Sequence, residues 1–85
     1  MHWELRIDNI VQKTLRRIPK HDAERIIIAI EELIVDPYGG DIQKMRGEED
    51  VWRRRIGSYR ILYEIRTTER CISVFDVQRR ASNTY

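Results

Sequence analysis

The spacing of apolar residues along the 85-residue chain changes twice, and each change indicates a new kind of element. In residues 3–7 apolar and charged side chains alternate, which predicts a half-buried strand. From Asn9 to Ile18 apolar residues recur at helical spacing, after an Asp8 that offers an N-cap oxygen and before a Pro19 that ends the helix. The opening of the chain therefore predicts one strand followed by one helix.

The clearest element is a second helix, predicted from Asp22 to Val35. Its apolar residues follow the i, i+3, i+4, i+7 pattern of an amphipathic helix, and they are Ala23, Ile26, Ile27, Ile30, Leu33 and Ile34. Asp22 is the expected N-cap. The helix should stop before Pro37, because the residue ahead of a proline is pushed out of the helical region, and Gly39 and Gly40 then indicate a loop. The two helices, joined by a few residues, predict a helical hairpin.

From Val51 onward the apolar period is two. Three strand-like runs follow one another through short links, and they cover residues 51–56, 59–66 and 71–77. Short links between successive strands predict an antiparallel three-stranded meander. The predicted fold is therefore α+β with the order β-α-α-β-β-β, as a single domain over residues 1–85. The helical hairpin can cover one face of the sheet, which leaves the other face for solvent or a ligand.

Charge is unevenly distributed along the chain. Of its sixteen Lys and Arg residues, ten fall in residues 43–85, where the net charge is +4 against −2 in residues 1–42. Nine of those ten are arginine, whose planar guanidinium suits phosphate. This pattern favours a polyanionic partner, and the alternative is a solvated sheet face with cross-strand Arg–Glu pairs.

The strand over residues 51–56 carries three consecutive arginines. Alternation places Arg53 and Arg55 on one face of the sheet and Arg54 on the other. Arg60 lies in the next strand, and strict alternation in the last strand groups Arg79 with Phe75 and Val77. Because the register between strands is not encoded in this spacing, the residues alone leave open whether the arginines converge.

Several other kinds of site are not indicated. Cys71 is the only cysteine, lies in an apolar run and is expected to be buried, so no internal disulfide is expected. Two distant histidines and one cysteine do not form a metal set, and no cofactor motif is present. No apolar run approaches the ~18 residues of a membrane span, and Glu4 and Asp8 interrupt any signal-peptide pattern. A cytoplasmic protein with no metal or cofactor is expected.

The sequence also resembles a known family. Residues 51–65, VWRRRIGSYRILYEI, are similar to the central signature of the RelE/ParE toxin superfamily, in which a basic strand and a glycine turn precede Tyr-Arg and an aliphatic strand. Residues 33–40 and 44–47 resemble the loop leading into that signature. Residues 72–80, with Tyr85 behind them, resemble its last strand and tail. The resemblance covers essentially the whole chain.

The resemblance implies a toxin of a type II toxin–antitoxin system. Within the superfamily, the sequence is closer to RelE than to ParE. The resemblance implies metal-free cleavage of messenger RNA in the ribosomal A site, by attack of a 2′-hydroxyl on the adjacent phosphorus. The residues at matching positions, expected to be catalytic, are Arg53, Arg55, Arg60, Arg79 and Tyr85. Further contacts to RNA are expected from Lys44, Arg46, Arg54 and Arg80. The implied partners are a cognate antitoxin, messenger RNA and the ribosome.

Two departures from the family pattern leave alternatives open. Arginines stand at Arg53 and Arg55, where relatives often have lysines, and an arginine does not give up its proton usefully. Gln78 stands where many relatives have a histidine. The general base is therefore unassigned among Tyr85 and the acidic run at residues 48–50. The alternatives are a ParE-like poison of DNA gyrase and a catalytically weak homologue that acts by binding its antitoxin.

Overall fold

A computed structural model describes residues 3–47 and 50–79 of the chain. The elements are β1 Glu4–Ile7, α1 Asn9–Arg17, α2 Lys20–Val35, β2 Ile42–Lys44, β3 Val51–Ile56, β4 Tyr59–Arg66 and β5 Cys71–Arg79. The α+β class is confirmed, and so is the placement of a helical hairpin between the first strand and the later ones. No helix in the described part of the chain is long and apolar enough to cross a membrane.

The predicted antiparallel three-stranded meander is confirmed in β3, β4 and β5, and the whole sheet is mixed because β1 joins it in parallel. Its strand order is β1-β5-β4-β3-β2, so the first strand lies at one edge beside the last. β1 pairs with β5 in parallel, whereas the other three pairings, β2 with β3, β3 with β4 and β4 with β5, are antiparallel. The short edge strand β2 lies where a loop was predicted. Three residues after a glycine pair are too few to show an alternating pattern.

Both helices cover one face of the sheet, called here the helix face. The core between the helices and the sheet contains Val11, Ile26, Ala29, Ile30, Leu33, Tyr59, Ile61, Tyr63, Ile65, Ile72, Val74 and Val77. Ile27 was predicted to join this core, but its side chain is 43% exposed. Cys71 is fully buried, as expected.

The start of α2 also differs from the prediction. The helix begins at Lys20 with Pro19 as its N-cap, two residues before the expected boundary at Asp22. Asp22 lies in the first turn, and its carboxylate accepts a hydrogen bond from the Tyr59 hydroxyl at 3.1 Å. Asp8 occupies the N-cap position of α1, as predicted, but its side chain makes no capping hydrogen bond.

A β-bulge interrupts the regular pairing of β4 with β5. Tyr63 pairs with Val74 and Leu62 pairs with Asp76, so Phe75 is the extra residue on β5. A bulge shifts the alternation of every residue beyond it by one position. Beyond Phe75, Val77 therefore returns to the helix face, where it is 5% exposed. The bulge decides which side chains of the end of β5 reach the uncovered face.

Candidate functional site

Three arginines lie together on the sheet face that the helices leave uncovered. Arg53 and Arg55 project from β3 on the side opposite the core, and Arg60 projects from β4 directly across from Arg55. We call this trio the arginine face. The alternation predicted for Arg53 and Arg55 is observed, and the register brings Arg60 to them.

Arg55 and Arg60 form a like-charge pair. Side chains directly opposite in adjacent antiparallel strands stand about 5 Å apart at Cβ, and like charges there are destabilising. Arg55 is relieved by Asp41, whose carboxylate accepts from Nε at 3.1 Å, although both side chains are well exposed. No carboxylate of residues 3–47 or 50–79 lies within ion-pair distance of Arg60. Part of this charge is therefore available to an external anion.

The edge strand β2 holds two of these arginines, a role that the sequence did not indicate. Gln43 lies opposite Arg53 and its side-chain oxygen accepts a hydrogen bond from the Arg53 guanidinium. The Arg55 backbone N–H donates to the Asp41 carbonyl at 2.9 Å. The Nε atoms of Arg53 and Arg60 are buried and have no hydrogen-bond partner among the described residues. The Arg53 guanidinium is thus held by Gln43, whereas that of Arg60 has no ion-pair partner among the described residues, which leaves its terminal nitrogens for a ligand.

Three further residues, Leu62, Asp76 and Gln78, lie beside the arginines on the open face. Leu62 lies between Arg53 and Asp76 in one row across three strands, and Arg60 lies between Arg55 and Gln78 in the next. Leu62 is only 8% exposed although the helices lie on the other side. The three arginines thus lie beside one apolar side chain, with Asp41 and Gln43 on the β2 side and Asp76 and Gln78 on the β5 side. Alternation along β4 already places Leu62 on the same face as Arg60, whereas the placement of Asp76 and Gln78 depends on the bulge in β5 and could not be read from the sequence.

Arg79 and Arg54 lie on the other side of the sheet. Arg79 pairs with the core residue Tyr59 and therefore lies on the helix-face side of β5. The prediction from strict alternation that Arg79 shares a face with Phe75 is wrong. Arg54 was expected to contact RNA, but its guanidinium points to α2, where it pairs with Glu32 at 2.5 Å and bonds to the Ala29 carbonyl at 3.3 Å. Its side chain is 12% exposed. Arg54 therefore holds β3 against α2.

The remaining predicted RNA contacts lie at the edge or outside the described residues. Lys44 is exposed on β2 opposite Trp52, hence on the helix-face side of the edge strand. Arg46 is exposed in the turn that follows. Arg80 and Tyr85 lie outside the described residues, and so do Glu48 and Glu49 of the acidic run. Asp50, the third member of that run, is exposed in the loop before β3.

The buried tyrosines of β4 do not supply a proton acceptor. Burial raises the pKa of Tyr63 to about 12, and its hydroxyl donates to the Pro37 carbonyl at 2.9 Å. Burial and the neighbouring Asp22 carboxylate also raise the pKa of Tyr59 above its usual 10.0, against a smaller opposing effect of Arg79. Both phenols therefore stay protonated at neutral pH, and both face the core.

Fold and site together define a class of protein, the small toxins of type II toxin–antitoxin systems. Residues 5–84 match the model of the family described as the ParE toxin of type II toxin–antitoxin systems. Because the match spans nearly the whole chain, the protein belongs to this family, within the RelE/ParE superfamily. A protein of Methanocaldococcus jannaschii, named as a candidate toxin RelE1, is 29% identical over 83 residues, which are 94% of this chain and 92% of that one.

Solved structures agree with this assignment. The archaeal RelE–RelB complex from Pyrococcus horikoshii superposes with a TM-score of 0.84 at 25% identity, covering 98% of this chain and 100% of that one. The RelB–RelE complex from Methanococcus jannaschii gives 0.75 at 28% identity, covering 91% and 92%. The isolated Escherichia coli RelE toxin gives 0.79 at 20% identity, covering 92% and 84%, and shows likeness of fold. The RelE branch predicted from the sequence is confirmed.

Proposed function

We propose that this toxin is a metal-free endoribonuclease that cuts messenger RNA, acting in the ribosomal A site and therefore in the cytoplasm. The observation that carries the proposal is the arginine face, where Arg55 and Arg60 stand directly opposite each other and Arg53 lies one row away. Such a cluster is costly for the isolated protein, which is the expected property of a site that binds a polyanion.

The cluster suits the charge that develops during RNA cleavage. Attack of a 2′-hydroxyl on the neighbouring phosphorus gathers negative charge on the nonbridging oxygens, and fixed donors aimed at them stabilise the transition state. Loss of one such donor typically costs about 10²–10³ in rate. Arg60 is the strongest candidate for this role, because its partly buried guanidinium is not engaged by a carboxylate of the described residues.

The test is a cell-free translation reaction in which messenger RNA ends are mapped by primer extension. We expect cuts that require ribosomes and that disappear when the attacking 2′-hydroxyl is replaced by hydrogen. Arg60→Gln should lower the cutting rate by about 10²–10³. Arg79→Gln, a matched loss of charge on the other side of the sheet, should cost less. Intact messenger RNA with the wild-type toxin would refute the proposal.

Poisoning of DNA gyrase is a second candidate function, and the family match favours it, since the matching model is described by ParE. Gyrase poisoning, however, makes no direct use of cations arranged around a scissile phosphate. A supercoiling assay with purified gyrase separates the two. Inhibition of supercoiling together with intact RNA would reverse the order of the two proposals.

We also propose a cognate antitoxin as the partner of this chain, since the two archaeal structures that resemble it are toxin–antitoxin complexes. Apolar side chains for such a contact are exposed on the helices, with Ile10 57% and Ile28 55% exposed. A bound antitoxin should block cutting, and its removal should restore it. A small protein that co-purifies with the toxin from native cells and inhibits it in the translation assay is the expected result.

A further inference from the structure

One carboxylate of the open face is not engaged by an arginine. Asp76 lies in the same row as Arg53 and Leu62, with Leu62 between them. Two strand spacings of about 4.8 Å separate the backbones of Arg53 and Asp76. A ribose and its 3′-phosphate placed over this row would therefore lie between a cation and a carboxylate.

The surroundings of Asp76 distinguish it from the other carboxylates on this side of the sheet. Glu64, one row further along β4, is held by Arg66 at 3.1 Å, and Asp41 is held by Arg55 at the same distance. Asp76 makes no ion pair with the described residues. The carboxylates of Glu64 and Asp41 are therefore occupied by arginines, whereas no arginine of the described residues competes with a ligand hydroxyl for Asp76.

A neighbouring amide orients the Asp76 carboxylate. The Gln78 side-chain N–H donates to Oδ2 of Asp76 at 2.9 Å, which leaves Oδ1 for another partner. A base whose second atom is fixed by a third group is the arrangement that activates a hydroxyl nucleophile. The bulge at Phe75 is what turns both Asp76 and Gln78 toward the arginine face.

We propose that Asp76 is the general base of the RNA cleavage, an inference that rests on the proposed nuclease function. Oδ1 of Asp76 takes the proton of the 2′-hydroxyl while the 2′-oxygen forms its bond to phosphorus. The bond from phosphorus to the 5′-oxygen breaks, and that oxygen takes a proton from water. The products are a 2′,3′-cyclic phosphate and a 5′-hydroxyl, and Asp76 returns its proton to solvent. Arg60, diagonally across from Asp76, stabilises the charge on the phosphorane.

The test measures single-turnover cutting of a defined messenger RNA in programmed ribosomes. Asp76→Asn keeps the shape of the side chain and removes the base, so the cutting rate should fall by about 10²–10⁴ while binding to the ribosome is not weakened. Glu64→Gln is the matched control on the same face and should cut within a few-fold of wild type. In Asp76→Ala, added formate should restore cutting, whereas chloride at equal ionic strength should not.

The outcomes separate the assignment from the proposed function. If the wild-type toxin cuts and Asp76→Asn cuts equally well, or binds RNA more tightly with an unchanged rate, Asp76 only balances charge and the assignment fails. A slow Asp76→Ala that formate does not rescue also overturns it, provided that its thermal unfolding matches wild type. If the wild-type toxin does not cut at all, the nuclease proposal fails and the assignment falls with it.

Discussion

Replacing Arg54 by methionine is expected to lower the free energy of unfolding by about 1–2 kcal/mol while RNA cutting stays within a few-fold of wild type. Arg54 is the middle of three consecutive arginines, and its guanidinium lies between α2 and the Gly40 turn. Methionine keeps the apolar stem against α2 and removes the charged group. The change therefore isolates the polar contacts of the guanidinium.

The magnitude follows from two contacts of the guanidinium and one buried donor that has no partner. The ion pair with Glu32 is short, but the Glu32 side chain is 57% exposed, which limits its contribution to about 1 kcal/mol. The bond to the Ala29 carbonyl is long at 3.3 Å and contributes about 1 kcal/mol at most. The Nε donor of Arg54 is buried without a partner, and the cost of leaving it unpaired offsets part of that sum.

The assay is thermal unfolding followed by circular dichroism, with RNA cutting measured on the same preparations. A loss of 1 kcal/mol shifts the melting temperature of a domain this size by roughly 4–8 °C. Arg55→Met is the matched control, because Arg55 is exposed on the opposite face, and it should show the reverse pattern of near-normal stability and reduced cutting. A normal melting temperature for Arg54→Met together with a strong loss of cutting would refute the face assignment.

Two further predictions concern residues that support the sheet. Tyr63→Phe leaves the Pro37 carbonyl without its hydroxyl donor and should lower stability by about 1–2 kcal/mol at neutral pH. Because burial raises the pKa of Tyr63 from 10.0 to about 12, the contribution of its protonated hydroxyl to wild-type stability is complete, and independent of pH, at pH values well below 10. It should fall by about 2–3 kcal/mol as the pH rises to 12, since the unfolded chain loses the proton first. Urea unfolding at several pH values should show this slope in wild type and a reduced slope in Tyr63→Phe. Gly40→Ala should destabilise more than Gly47→Ala, since both have positive φ but only at Gly40 would a Cβ meet Arg54, at 2.8 Å. Equal melting temperatures for the two glycine variants would contradict that contact.

Much of the fold is encoded in local periodicity. Helical spacing located α2 because one side of a helix must be apolar to pack on a sheet, and Ile26, Ile30 and Leu33 are indeed buried. Strict alternation in β4 gave the core face correctly, with Tyr59 and Ile61 buried. The boundaries were less certain, since both Pro19 and Asp22 are compatible with a helix start, and the bond to Tyr59 that engages Asp22 comes from a distant part of the chain.

The candidate site was predicted in part. Alternation alone put Arg53 and Arg55 on one face, because successive side chains of a strand point to opposite sides. Arg60 lies beside them only because of the register of β3 with β4. That register pairs Ile56 with Tyr59 across the two-residue turn at 57–58 and so places Arg60 opposite Arg55. The supports from Asp41 and Gln43 were not predictable, since β2 is too short to produce a periodic signal.

The sequence by itself determined the class of fold, the basic character of one strand and the family, since each depends on residue type and short-range spacing. Only the tertiary structure decided which side chains share the site. One extra residue, Phe75, exchanged the faces of everything after it, so that Arg79 faces the helices and Asp76 with Gln78 faces the arginines. The physical reason is that side-chain direction in a strand has a period of two, and a single bulge, fixed by pairing with a neighbouring strand, inverts that period.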